Sequence, residues 1–141
     1  MCGIAGIHRF KNDSESDRQY IAHCVADMYR RGPDASGIWQ NNAGYTCGAV
    51  RLAIRDVHER ANQPMVSADA RYCLVYNGEL YNTGELTKYI APLALSTSSD
   101  SEILLQLLIH HPLEFVLGKV DGMFAFAFHD KQKSETCIAR D

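Results

Sequence analysis

Apolar positions along the chain fall into blocks with two different periods. Residues 3–9 form a short apolar run that reads as a strand. Between 18 and 30, Ile21, Cys24, Val25 and Met28 recur at helical spacing, which predicts an amphipathic helix. "RRGPD" ends that helix at Gly32 and Pro33. Strands are expected near 37–40, 44–49 and 51–55, with the turn-rich "QNNAG" between the first two, and "NQPM" reads as a loop. "RYCLVYNG" predicts a strand that is apolar on both faces. "NTGELTKYI" predicts a short helix ending near Pro92, with Asn82 and Glu85 spaced as a capping box. "STSSDSEILLQLLIHH" predicts a clearer helix, with Ser99 and Glu102 as a second box and Pro112 as its stop.

The segment "GMFAFAFHD" alternates strictly. Phe124, Phe126 and Phe128 share one face; Met123, Ala125 and Ala127 share the other. Both faces are apolar, so both should be covered, and the small face suits close approach of another layer. Strands interrupted by two or three helices, with doubly buried strands, predict layered α+β packing with helices outside and sheets inside. The last segment, "TCIARD", predicts a strand without its return partner. The expectation is a single domain over 1–141, incomplete at its C-terminal strands, leaving an exposed edge or a sequence that continues elsewhere.

Composition narrows the classes. A hydrophobic fraction of 46% over 141 residues is enough for one real core. The net charge of −3 gives no reason to expect nucleic acid or an anionic membrane as partner. No apolar stretch reaches the length of a membrane span, and no basic region leads into a long apolar core at the N-terminus, so a cytoplasmic protein is expected. The five cysteines are odd in number and contain no C-x-x-C pair, which argues against a disulfide framework or zinc. Cys24, Cys47, Cys73 and Cys137 sit among apolar neighbours and read as buried thiols. His8, His23, His58 and His129 are dispersed, and His110 and His111 end a helix, so no metal site is expected. Trp39 reads as core or edge packing.

Cys2 stands apart because "MCGIAGI" places it directly behind the initiator. It begins a buried strand, or Met1 is removed and one carbon carries both a thiol and a free amine. A thiol titrates near about 8.5 and an α-amine near about 7.7–8.0, so the amine can take the thiol proton and supply nucleophile and base from one residue. In "YNGELYN", Asn77-Gly78 is either a hairpin turn or an oxyanion hole made by the Asn77 amide and the Gly78 N–H. Arg51 in "VRLAIRD" is a solvated edge charge or a fork for a carboxylate. Asp100 is a dipole-favoured helix-start acid or the partner of an ammonium, and Glu79 could do the latter as well. Taken together these groups describe a ligand: an amino acid with a side-chain amide that Cys2 attacks.

"MCGIAGI", "RGPDASGIW", "RLAIRD", "NQPM", "YNGELYN", "SSDSE", "DGMFAFAFHD" and a terminal "ARD" occur in this order. The set strongly resembles the class II glutamine amidotransferase domain of asparagine synthetases, an N-terminal-nucleophile hydrolase, over almost the whole chain. The resemblance implies a four-layer αββα sandwich. It implies that Cys2 attacks L-glutamine, forms a glutamyl thioester and releases ammonia, and that Asn77 and Gly78 form the oxyanion hole. Arg51 would hold the α-carboxylate, and Glu79 and Asp100 the α-amine. The segment Arg51, Leu52, Ala53, Ile54 and Arg55 would line the pocket, largely through backbone groups such as that of Ile54. The glutaminase step needs no cofactor; ATP and Mg2+ would belong to a synthetase domain or subunit that accepts the ammonia, with a second copy of this chain as a further partner.

The sequence departs from the family pattern where it carries Arg30, Ala49 and Ala61, positions at which histidine, histidine and glycine are usual. It holds no Ser-Gly-Gly-rich phosphate loop, so this chain by itself is not expected to make asparagine. Two other functions stay open at this point: a catalytically silent module that binds glutamine or a synthetase subunit, and an amidotransferase domain serving an acceptor other than aspartate.

Overall fold

The computed structural model describes residues 2–9, 14–41 and 44–141. Met1 lies outside them, as do Asn42 and Ala43 of the predicted "QNNAG" turn.

Two antiparallel sheets face each other. The first contains β1 (Gly3–His8), β2 (Ala35–Gln40) and β3 (Tyr45–Arg51) in the order β1-β3-β2. The second contains β4 (Met65–Val66), β5 (Tyr72–Leu80), β6 (Gly122–Asp130) and β7 (Glu135–Arg140) in that order. Helix α1 (Ser14–Asp27) covers the first sheet through Ile21 and Val25 against Val50. It lies close because Gly48 has no side chain: a Cβ there would sit 2.5 Å from Val25 Cγ2. The second sheet is covered by α2 (Thr83–Leu86), α3 (Asp100–His110) and α4 (Leu113–Leu117). The expected α+β sandwich with helices outside and sheets inside is what forms.

The layers differ in the size of their side chains for a physical reason. Between the second sheet and its helices lies the larger core, with Leu74, Tyr76, Leu80, Leu104, Leu107, Phe126 and Phe128 all buried. Between the sheets the filling is smaller: Cys47, Ala49, Cys73, Val75 and Ala127, closed at one end by Tyr45. Small residues let two sheets approach without a helix between them. The alternation of "GMFAFAFHD" is thereby explained, except at Met123, which is 43% exposed because that end of β6 opens onto a cleft.

Several boundaries differ from the sequence pattern. Helix α1 starts four residues before the first expected position because its polar first turn carries Glu15 and Asp17, favoured by the helix dipole, rather than apolar residues. It ends at Asp27 and gives way to a 3-10 turn over Tyr29–Arg31. Residues 52–55 are not a strand. The Arg51 guanidinium turns back onto the carbonyls of Arg55, Asp56 and His58, which curls the segment into a loop, and Asp56 takes a positive φ of 45°. The Asn82–Glu85 box does not form, because the Asn82 side chain donates to the Lys119 carbonyl (2.8 Å) and accepts from the Asp121 N–H (3.1 Å) instead. Pro112 stops α3 but also opens α4. "TCIARD" forms β7, the outer strand beside β6, with Ile138 80% exposed. Of the thiols expected to be buried, Cys47 and Cys73 are, while Cys24 and Cys137 are half-buried.

Candidate functional site

Four strand ends meet at one end of the sandwich: the start of β1, the end of β3, the end of β5 and the start of β6. There a cleft is lined by Cys2, Arg51, Leu52, Ile54, Arg55, Asn77, Gly78, Glu79 and Asp100, together with Gln63, Tyr76, Ser99, Ser101 and Met123. Nine of the ten residues singled out in the sequence are thus brought together from four separate stretches. Ala53 is the exception. Its N–H turns away to Asp34 Oδ2 (2.7 Å), and its side chain does not line the cleft.

Cys2 is half-buried just ahead of β1. Its carbonyl accepts a hydrogen bond from Arg31 Nε–H (3.0 Å), so the "RGPD" turn holds the backbone of the nucleophile candidate while Asp34 of the same turn holds the Ala53 N–H. The Asp34 N–H in turn donates to the Arg51 carbonyl (3.1 Å). That turn therefore fixes Cys2 relative to the loop after β3.

The Asn77-Gly78 pair is not a hairpin turn. It lies inside β5, opposite Ala125 and Phe124 of β6. Backbone N–H groups along a strand alternate between its two edges. The Tyr76 N–H goes to Gln63 Oε1 (2.6 Å) and the Leu80 N–H to Asp100 Oδ2 (3.1 Å), both away from β6. Gly78 lies midway between them, so its N–H points to the same edge, into the cleft. Its partner Phe124 agrees, because its N–H and C=O both turn the other way to Asp141 (3.1 Å each). A Cβ at Gly78 would run into the Met123 carbonyl oxygen and lie 2.7 Å from Phe124 Cα. Glycine is required there by the close approach of β6. Side chains alternate too: Asn77 shares the face of Cys73 and Val75, which pack between the sheets, and so faces toward β1. Asn77 Oδ1 is buried and takes no hydrogen bond from the described residues. A buried polar atom left unmet costs about 1–3 kcal/mol, which marks it as a group kept for a ligand or water.

Charge is distributed at both walls. Arg51 is buried, and its two terminal nitrogens already donate to the carbonyls of Arg55 (2.9 Å), Asp56 and His58 (3.1 Å) and to Asn62 Oδ1 (2.9 Å). It builds the loop rather than presenting an open fork. Arg55 is exposed in the same wall. Glu79 is exposed at the rim and Asp100 is buried at the start of α3, and Arg55 Nη1 reaches the carbonyl of Leu80, next to Glu79 (3.5 Å). The two walls are tied by Asp56, whose carboxylate accepts from the Ser98 N–H (2.7 Å) and hydroxyl (3.3 Å); that N–H is the main reason its carboxyl titrates below the ordinary carboxylate value.

Four contributors were not assigned a role from the sequence: Arg31, Asp34, Gln63 and Tyr76. "RGPD" and "NQPM" signalled a family without saying what their side chains do. The parity of β5 was the available signal, since Tyr76 is two positions before Gly78 and must share its edge.

The chain matches the family described as "Glutamine amidotransferase domain" over residues 1–141. It is 36% identical over 142 residues to asparagine synthetase B [glutamine-hydrolyzing] of Escherichia coli and 34% identical over 141 residues to asparagine synthetase [glutamine-hydrolyzing] of Brassica oleracea. Each alignment covers 100% of this chain and 25% or 24% of the relative, so the chain spans about a quarter of their length. Among solved structures, glutamine phosphoribosylpyrophosphate amidotransferase from Bacillus subtilis superposes with a TM-score of 0.78 over 98% of this chain and 37% of its own, at 20% identity, which speaks to the fold. No helix among the described residues is long and apolar enough to cross a membrane.

Proposed function

Because the chain belongs to the glutamine amidotransferase domain family, we propose that its cleft hydrolyses L-glutamine to glutamate and ammonia with Cys2 as nucleophile. The observation that carries this reading is the juxtaposition of Cys2 with the edge-facing Gly78 N–H and the Asn77 side chain in one cleft.

The chemistry follows from those groups. With Met1 removed, the freed α-amine takes the thiol proton, and Sγ attacks the side-chain amide carbon of glutamine. Negative charge gathers on the former carbonyl oxygen, where the Gly78 N–H and Asn77 amide donate to it; each such donor is worth about 2.7–4 kcal/mol in the transition state. The protonated amine passes its proton to the amide nitrogen as the C–N bond breaks, and ammonia leaves. Water, deprotonated by the same amine, then cleaves the thioester to glutamate and restores the thiol. The guanidinium wall of Arg51 and Arg55 receives the α-carboxylate, the Ala53 and Ile54 N–H groups being spent on Asp34 Oδ2 and the Leu52 carbonyl, and Glu79 and Asp100 receive the α-ammonium. Since the terminal N–H groups of Arg51 are already shared with carbonyls, Arg55 supplies the more accessible fork. In the asparagine synthetases it resembles, this domain is a quarter of a longer protein. The ammonia is accordingly assigned to a synthetase domain or subunit, where ATP and Mg2+ would act.

Replacing the nucleophile tests the reading. In Cys2→Ala protein, ammonia release from L-glutamine should drop to background while the thermal midpoint stays close to that of the parent. Retained glutaminase activity would overturn the assignment, and glutamine binding without turnover in the parent, with Met1 removed, would identify a silent binding module instead.

A further inference from the structure

Asp100 uses one carboxylate oxygen twice. Its Oδ2 accepts the Tyr76 hydroxyl (2.9 Å) and the Leu80 N–H (3.1 Å), two donors from β5 on either side of Gly78. The carboxylate is thereby held from two directions, and Oδ1 takes no hydrogen bond from the described residues. Tyr76 is itself held at both ends. Its N–H donates to Gln63 Oε1 (2.6 Å), and its ring, 2% exposed, is packed in the core beneath α3. Burial, and then the facing Asp100 carboxylate, push the Tyr76 hydroxyl far above its ordinary value, so it remains a donor at every working pH. A core tyrosine that spends its only proton on a carboxylate lining the cleft does more than fill space.

We propose that Tyr76 is a positioning residue that fixes Asp100 as acceptor for the substrate's α-ammonium and so makes the cleft select an amino-acid amide over the same amide without its amine. The proposal rests on the glutamine reading above. An ionised carboxylate recognises an ammonium best when its orientation is set beforehand, because ordering it on binding costs entropy. Without the hydroxyl, the Leu80 N–H is the single remaining tether and the carboxylate can rotate. The Tyr76 hydroxyl has no bond to Cys2, Asn77 or Gly78, so the loss should fall on the ammonium end of the ligand.

The test compares L-glutamine with glutaramate, which is glutamine lacking the α-amine, in the full chain and its Tyr76→Phe variant. The expected result is that kcat/KM for L-glutamine falls about tenfold, mainly through KM, while glutaramate falls much less, so that the preference between them shrinks about tenfold. Equal losses on both substrates, or an unchanged preference, would show that the Tyr76–Asp100 bond only braces α3 against β5 and would overturn the proposal. Asp100→Asn should shrink the preference at least as far, Glu79 keeping the remainder, and adding Tyr76→Phe should then change it no further; additive losses would mean that Tyr76 acts through another group. Dissociation constants of both ligands in a Cys2→Ala background give the same comparison without turnover. If that protein binds neither ligand, the glutamine reading falls and this inference with it; binding with the preference intact in Tyr76→Phe removes the role of Tyr76 alone.

Discussion

Gly78 meets two demands that no other residue satisfies together. Its backbone must pass β6 at a distance that leaves no room for a Cβ beside the Met123 carbonyl, and its N–H must face the cleft. Gly78→Ala should therefore lower stability by about 1–3 kcal/mol, the usual range for overpacking, because the obstacle is backbone and cannot swing aside. It should also remove glutaminase activity at temperatures where the variant is still folded, since relief of the clash moves the donor. Thermal unfolding and ammonia release measured on the same samples check both halves; an active variant of parental stability would refute the geometry. At this scale the presence of Cys2, Asn77, Gly78, Glu79 and Asp100 in one cleft was legible because each sits in a motif whose residue types suggest a chemistry. Tyr76 and Gln63 were not, because their roles depend on which edge of a strand an N–H faces. Arg51 was legible as a cation but not as a residue whose donors are consumed by its own loop, since that depends on where residues 55–62 fold.

Among the elements, the start of α3 decides the shape of the cleft. The Ser99 hydroxyl accepts the Glu102 N–H (3.3 Å), which is half of the expected capping box. Glu102 does not reach back to Ser99; its carboxylate instead takes the N–H groups of Ser96 (2.9 Å) and Thr97 (2.6 Å) and the Thr97 hydroxyl (2.7 Å), fixing the approach to the helix. The spacing of the box was readable, but its second hydrogen bond depends on how the preceding loop turns. The reverse holds for residues 52–55, whose short apolar run suggested a strand while the side chain of Arg51 dictated a loop. Since Asp100 directly follows Ser99, Ser99→Ala should act on both fold and site. Loss of the cap should cost about 1 kcal/mol, or roughly 3–5 °C in thermal midpoint, and KM for L-glutamine should rise as Asp100 loses its fixed place. A stability loss with KM unchanged would separate the cap from the site.

Across the whole molecule, the sandwich is polar at both ends of its sheet-to-sheet interface. Doubly apolar strands made the layering readable from sequence; strand order and the gathering of distant histidines were not, because both depend on pairings between remote segments. At the end away from the cleft, His129 of β6 is fully buried between the sheets, stacked on Tyr45 of β3 at 4.3 Å, with its ring nitrogens bonded to Asn41 (2.7 Å) and Thr136 of β7 (2.9 Å). His8 of β1 lies against it at 5.6 Å and shares the Thr136 hydroxyl, Trp39 of β2 is 5.9 Å away, Asp130 is the nearby acid, and the Glu135 backbone also reaches the ring. Burial first, and then His8, lower the pKa of His129 from 6.5 to about 4. Its folded value lies below its unfolded one, so the unfolded chain binds the proton first on acidification. The contribution is intact above about pH 6.5 and is lost as pH falls toward 4. Asp130, drawn down to about 2 by its hydrogen bonds from Arg71 (2.6 and 3.0 Å), is also a group whose contribution is lost on acidification, but only below its ordinary 3.8, so the two windows do not overlap. The denaturation midpoint of the parent should therefore fall between pH 6.5 and 4. His129→Gln, which keeps polar groups but cannot take up a proton, should begin lower at pH 7 and show a flatter slope across that window. An equal slope in the variant would mean that another group carries the acid sensitivity and that the buried histidine between the sheets does not.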